Sequence, residues 1–293
     1  MAQYATAHIV FFSGTGGTAR FAAHLREALA THGVSVTVTE LGAAPTQPVA
    51  ADILFLLYPV YAANAPQPVD EWIAAAPQGN GTPAVVLSVS GGGEVSPNTA
   101  CRVRTIRRLA KRGYVTRYER MVVMPANFIS PYSDALAAHI LRAAPKLAAL
   151  IADEVLAGVT RRARPHWWDR LLSRLMMLEH IGSRYFGRGL RAGESCNGCG
   201  LCARRCPRGN IDMRDGRPVF GAKCVICLRC VYGCPQKAIK AKYGQFAVLK
   251  EGFDLDAAEK RAAEVEALPP VRDMTKGWAL SGVREYLEEI NLQ

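Results

Sequence analysis

The sequence predicts an α/β protein: a doubly wound parallel sheet of five strands over residues 1–160, followed by a small α+β unit and a helical tail. Three observations predict this. Strand-length apolar runs alternate with helical patterns through the first part, a four-cysteine motif occurs twice in the second, and an arginine-rich segment lies between them. A chain of 293 residues has room for two domains, and its composition is that of a globular protein.

Ala7 to Phe12 has the length and composition of a buried strand, and a glycine-rich turn leads from it into the helical pattern Thr18 to Ala30. Val34 to Thr39 alternates valine with Ser and Thr. Asp52 to Tyr58, Pro83 to Ser90 and Tyr118 to Met124 supply three more strands. Between them the pattern predicts helices at Pro68 to Ala76, Pro97 to Arg112 and Ser133 to Ala157. Ser96 before Pro97 reads as an N-cap hydroxyl with proline at the first helical position. Cys101, within that helix, reads as a small buried apolar residue. Five strands alternating with helices imply a parallel sheet covered on both faces.

Residues 161–192 form a basic, aromatic connector, 193–250 the cysteine unit, and 251–293 an acidic tail with helices at Asp254 to Leu268 and Ser281 to Leu292. In the connector, Trp167, Trp168, Leu171, Leu172, Leu175, Leu178 and Ile181 recur at helical spacing among Arg170, Arg174 and Arg184. The expectation is a helix packed between the two units with its arginines solvated. A membrane-surface helix is the other reading.

Cys196-x-x-Cys199-x-x-Cys202-x-x-x-Cys206-Pro207 recurs 28 positions later as Cys224-x-x-Cys227-x-x-Cys230-x-x-x-Cys234-Pro235. Three thiolates on one tight loop suit three corners of a [4Fe–4S] cube, and the fourth, before a proline, suits the cluster of the other copy. This assigns Cys196, Cys199, Cys202 and Cys234 to one cluster and Cys224, Cys227, Cys230 and Cys206 to the second. Zinc sites use pairs of CxxC motifs and leave the third regularly spaced cysteine without a role.

The turn Ser13-Gly14-Thr15-Gly16-Gly17-Thr18 joins the first strand to the first helix, where backbone N–H groups and the helix dipole favour a phosphate. It also matches a dinucleotide fingerprint, with Glu40 at the end of the second strand where a ribose-binding acid would sit. Three features point to a flavin monophosphate, FMN. Hydroxyls surround the turn, Tyr58-Pro59-Val60-Tyr61-Ala62-Ala63-Asn64 can present aromatic faces, and Ser90-Gly91-Gly92-Gly93-Glu94 allows close main-chain approach. In a sheet of order 2-1-3-4-5 these loops meet at the switch point.

On these motifs, residues 7 to about 155 resemble a flavodoxin, and residues 7–240 are similar to the flavodoxin–ferredoxin fusion proteins of bacteria and archaea. The resemblance implies a flavodoxin-like FMN domain, the Ser13 to Thr18 turn as its phosphate loop, and the Tyr58 and Gly91 loops beside the ring. At Ala62-Ala63 the chain departs from the glycine that flavodoxins usually place there. The function implied is electron transfer among FMN and two [4Fe–4S] clusters and a separate low-potential partner. A reductase acting on a small substrate and an iron–sulfur redox sensor are the alternatives, and no acid/base constellation beyond Glu94 supports direct catalysis.

Net charge is +11, with 19 Lys and Arg against 5 Asp and Glu in residues 161–250. Two clusters would reduce that surplus of +14 to about +10. Arg104, Arg107, Arg108, Lys111 and Arg112, with Arg204, Arg205 and Arg208, suit an acidic redox partner. No nucleic-acid recognition motif accompanies them. The start lacks a secretory signal pattern, no apolar run approaches bilayer-spanning length, and the cysteines suit a reducing compartment, so the expectation is a cytoplasmic protein.

Overall fold

The computed structural model describes residues 4–43 and 49–291. Its sheet contains β1 (Thr6–Phe11), β2 (Ser35–Glu40), β3 (Ile53–Pro59), β4 (Pro83–Ser90) and β5 (Val115–Val123). All neighbours are parallel and the order is β2-β1-β3-β4-β5, the flavodoxin-like arrangement. Helices α1 (Gly17–Thr31), α2 (Gln67–Ala75), α3 (Val103–Lys111) and α4 (Asp134–Leu156) cover it.

Side chains alternate across the strands and build two cores. Ile9 and Phe11 face Phe21 and Leu25 of α1 and Ile140 and Leu147 of α4. Val10 and Phe12 join Val69 of α2 and Leu109 of α3 on the other side. β3 and β4, central strands buried on both faces, therefore read as continuous apolar runs. Helix α4 is long and apolar enough to cross a bilayer, which corrects the expectation that no segment is. Its apolar side instead covers the sheet, where Ile140, Leu147 and Ile151 are fully buried.

The predicted helix from Pro97 is also corrected. A 3-10 turn occupies Asn98–Ala100 and α3 begins only at Val103, without a side-chain cap. Ser96 spends its hydroxyl on Asp169, 2.5 Å away, so the local capping signal is overridden by a distant partner. By contrast, Ser133 does cap α4 and accepts from the Leu136 N–H.

Two connector helices, α5 (Trp167–Met176) and α6 (Glu179–Gly189), lead to β6 (Leu190–Ala192). The cysteine unit continues with α7 (Leu201–Arg204), β7 (Ile211–Arg214), β8 (Arg217–Phe220), α8 (Arg229–Tyr232) and β9 (Ile239–Ala241). β6 pairs antiparallel with β9, and β7 with β8. Each sequence copy thus supplies one strand to each ribbon, which interleaves the two copies.

The tail forms α9 (Leu255–Glu264), α10 (Val271–Met274) and α11 (Ser281–Asn291); Leu292 of the predicted helix lies outside the described residues. Asp254 caps α9, whose acids Asp256 and Glu259 pair with Arg20 of α1. Helix α11 delivers Val283, Tyr286, Leu287 and Ile290 to the first core. The tail is thereby part of the sheet domain's packing. Leu287→Ala is expected to destabilise the chain by about 2–5 kcal/mol, measured by denaturant unfolding, because the cavity opens in a fully packed core.

Candidate functional site

Ser13, Gly14, Thr15, Gly16, Gly17 and Thr18 form the turn from β1 into α1, and Gly16, at φ 105°, takes a conformation open to glycine. Ser13 and Thr18 are buried, and Ser13 Oγ accepts from the Ala19 N–H at 3.3 Å. Among the described residues, no protein acceptor takes the N–H groups of Gly14 through Thr18. Five donors at the positive end of a 15-residue helix fit a phosphate dianion. Glu40 is engaged by Arg229 at 2.6 Å, so the acid that suggested a dinucleotide already has a partner.

Beyond β3, Tyr58 is fully buried with its hydroxyl 3.4 Å from the Cys101 carbonyl, and offers no face to a ligand. Cys101 itself is buried, and that burial pushes its thiol pKa up. Pro59 and Val60 are half-buried, and the Val60 N–H bonds to Val89. Tyr61 and Asn64 exchange two backbone bonds of 2.9 Å around Ala62 and Ala63, whose φ values of 45° and 54° are those of a tight hairpin turn. Tyr61 meets Phe12 edge-on and its hydroxyl reaches Gly14, where an added Cβ would lie 2.6 Å from it. Asn64 is turned to α5: its amide donates to the Ser173 carbonyl at 2.7 Å.

After β4, the Gly92 N–H bonds to Ser90 Oγ, Gly91 abuts Ala126, and Gly93 abuts Gly282 of α11. A Cβ on Gly93 would lie 2.4 Å from the Gly282 carbonyl carbon. Glu94 pairs with the buried Arg102, which also bonds Glu119 at 2.9 Å and Ser88 at 2.8 Å. Ser13 to Thr18, Val60, Tyr61 and the Gly91 to Gly93 loop therefore meet at the carboxyl edge of the sheet, while Tyr58, Asn64 and Glu94 serve its packing.

The two cysteine loops superpose in backbone conformation at the 28-residue offset. Gly198, Gly200 and Gly209 have φ of 72°, 69° and 53°; Ile226, Leu228 and Lys237 have 52°, 58° and 47°. One-turn helices α7 and α8 follow at the same offset. Cys196, Cys199, Cys202 and Cys234 line one cavity. Cys206, Cys224, Cys227 and Cys230 line a second. Among the described residues, no three His, Cys, Asp or Glu side chains converge tightly enough for a single ion. Soft thiol donors ringing a space fit a polynuclear centre better than one zinc. Backbone N–H groups of Asn210 and Ala238 point at Cys206 and Cys234 Sγ, each at 3.4 Å. Burial pushes the Cys224 thiol up to about 12 and raises the Cys230 thiol well above its ordinary value.

The second loop also builds the junction between the units. Val225 and Cys227 join Phe12, Leu41 and Tyr61 in the second core. Arg229 donates to the Ser13 carbonyl at 2.7 Å and the Gly14 carbonyl at 3.0 Å. Tyr232 donates to the Asn127 carbonyl at 2.7 Å, and the Asn127 amide donates to Thr15 Oγ1 at 2.5 Å. Nothing in the sequence singled out Arg229, Asn127 or Tyr232. The available signal was a difference between copies, since Arg229 stands where the first copy has Leu201.

Much of the expected basic docking surface is used internally. Arg104 and Arg108 pair with Asp70, Arg112 donates to the Ala76 carbonyl, and Arg208 grips Glu71. Near the junction, burial raises the Glu179 carboxyl to about 7, and the Tyr61 hydroxyl is pushed up by burial beside Cys227 and Glu179.

Two outcomes follow. Ala62→Gly is expected to stabilise the chain by about 1 kcal/mol in thermal unfolding, by relieving a left-handed alanine. Glu179 gains its proton near pH 7 when folded and near 4.5 when unfolded, so stability falls as pH rises through that window. Glu179→Gln should flatten the Tm profile between those pH values.

No protein-family model matches the chain. No curated protein matches it either. Among solved structures it is similar to a flavodoxin from Streptococcus pneumoniae TIGR4, at 19% identity over 53% of this chain and 100% of that one, with a TM-score of 0.39. An oxidised flavodoxin from Bacillus cereus aligns at 14% identity over 53% and 99% of the two chains, with a TM-score of 0.40. For a flavodoxin from the Archaea the values are 14%, 51%, 98% and 0.35.

Proposed function

We propose that the chain is an electron-transfer protein whose first domain binds FMN and whose cysteine unit binds two [4Fe–4S] clusters. The observation that carries this is the seating of the Cys224–Cys230 loop on the phosphate-type turn through Val225, Cys227 and Arg229. When bound, FMN exchanges one or two electrons and each cluster exchanges one.

The chain's own residues divide the work. N–H groups from Gly14 to Thr18 hold the phosphate, and Arg229 fixes the turn from its carbonyl side without occupying the donors. The quartet of Cys206, Cys224, Cys227 and Cys230 faces inward, with Cys227 buried at the junction. The other quartet has Cys199 exposed, so it is the one that an external partner can approach. N–H donors at Cys206 and Cys234 favour the more negatively charged state of each cluster. These donors are equivalent in the two quartets, so the difference in burial between Cys227 and Cys199 is what would set the two centres apart.

Anaerobic reconstitution tests the reading. The full chain should bind FMN with a flavin absorption spectrum and about eight irons per chain. Cys234→Ser should lose the centre built on Cys196, Cys199 and Cys202 while keeping the other, and Cys206→Ser should do the reverse, read by iron content and electron paramagnetic resonance. Arg229→Ala should weaken FMN binding by roughly tenfold, the low end of the about 1.5–3 kcal/mol for hydrogen bonds to a charged group, because it acts through the turn rather than on the ligand. Tight nicotinamide dinucleotide binding without flavin, or two irreplaceable zinc ions, would overturn it.

A further inference from the structure

Helix α5 is mounted inside out. Two of its residues are buried, and both are polar: Asp169 and Ser173. The Asp169 carboxylate accepts from Ser96 Oγ and Thr99 Oγ1, each at 2.5 Å. Ser173 Oγ lies 3.0 Å from both the Ala63 carbonyl and Asn64 Oδ1. At 100° per residue these two share one side of the helix, and Trp167, Trp168, Leu171, Leu172 and Leu175 fill the opposite arc. All five are exposed, Trp167 at 66% and Leu175 at 56%. The arc continues past the end of α5 through Leu178, 68% exposed, to Ile181 on α6, 54% exposed. The expectation of a helix packed between two units through its apolar side is thus reversed.

A contiguous apolar surface of this kind marks an interaction site, and its rim identifies the occupant. Arg170 and Arg174 border one edge of the arc on α5, and Arg164, Arg184 and Arg188 are exposed on the adjoining segments. From 161 to 191 the chain has eight arginines and two acids, one of which, Asp169, is buried and hydrogen-bonded. A second copy would bring two such rims together and be repelled. An anionic lipid surface attracts the rim, accepts the leucines, and suits the stacked Trp167–Trp168 pair, whose ring centroids are 4.4 Å apart. Arginine stems can lie along the apolar surface while their guanidinium groups reach the headgroups.

We propose that α5 and the first turn of α6 form an in-plane anchor that binds this protein to an anionic bilayer surface. The proposal stands apart from the cofactor reading, because none of the residues involved belongs to the phosphate turn or the cysteine quartets. The test is flotation of the full chain with vesicles of phosphatidylcholine alone or mixed with phosphatidylglycerol, with tryptophan fluorescence read in parallel. Binding should require phosphatidylglycerol, weaken as salt rises, and shift Trp emission to the blue. Trp167→Ala with Trp168→Ala should abolish flotation, and Arg170→Ala or Arg174→Ala should each weaken it about fivefold. These side chains are exposed, so circular dichroism of each variant should match the parent. Absence of binding to both vesicles overturns the proposal, as does binding unchanged in the Trp variant. Salt-resistant self-association that the same Trp substitutions abolish also overturns it, by assigning the face to a second copy.

Discussion

Arg229 holds the two halves of the molecule in register. Its guanidinium reaches the carbonyls of Ser13 and Gly14 and the carboxylate of Glu40, so one side chain of the cysteine unit gathers three acceptors from the ends of β1 and β2. Those carbonyls lie on the turn whose N–H groups are left open, and the contact therefore shapes the turn without filling it. Val225 and Cys227 seal the same junction with apolar surface. The apolar contact adds burial to hydrogen bonds that, on the partly exposed Glu40 side, are shared with water.

The two cysteine copies are not equivalent. The repeat requires left-handed residues at three positions. In the first copy all three are glycine; in the second they are Ile226, Leu228 and Lys237. A β-branched residue in that region is strained by an energy of order 1–2 kcal/mol. Leu228 is buried, and Ile226 packs on the small core around Phe186, Leu190 and Ile239, so the burial of apolar surface offsets the strain. Copy one keeps the relaxed backbone and the exposed Cys199; copy two carries the left-handed side chains and also supplies Val225, Cys227 and Arg229 to the junction.

The sheet was legible because its central strands are buried on both faces and its turns carry glycine or proline, signals that lie within a few residues of the elements they define. The cysteine spacing was legible for the same reason. What failed was long-range. Ser96-Pro97 has every local mark of a helix start, but the serine's hydroxyl answers to Asp169, 73 positions away. Tyr58 and Asn64 lie in the loop that the sequence nominated, yet the first belongs to the core and the second to α5. Tail position was undecidable from acidity alone, because the groups that organise α9, Arg20 for Asp256 and Asp134 for Arg261, lie far from it in sequence.

The connector shows most plainly why periodicity is not orientation. A helical stripe of Trp and Leu states that one side is apolar; it does not state that the apolar side faces the protein. Orientation is decided by which side finds the better partners, and Asp169 and Ser173 find hydroxyls and amides placed by loops on the sheet domain. Ser173 bonds Ala63 and Asn64 in the turn that also carries Tyr61, while α6 runs directly into β6 of the cysteine unit. The connector is consequently tied to the junction at both ends. A surface that captures its outward face fixes the orientation of the junction as well, because α5 has a short, hydrogen-bonded path to it rather than a flexible tether.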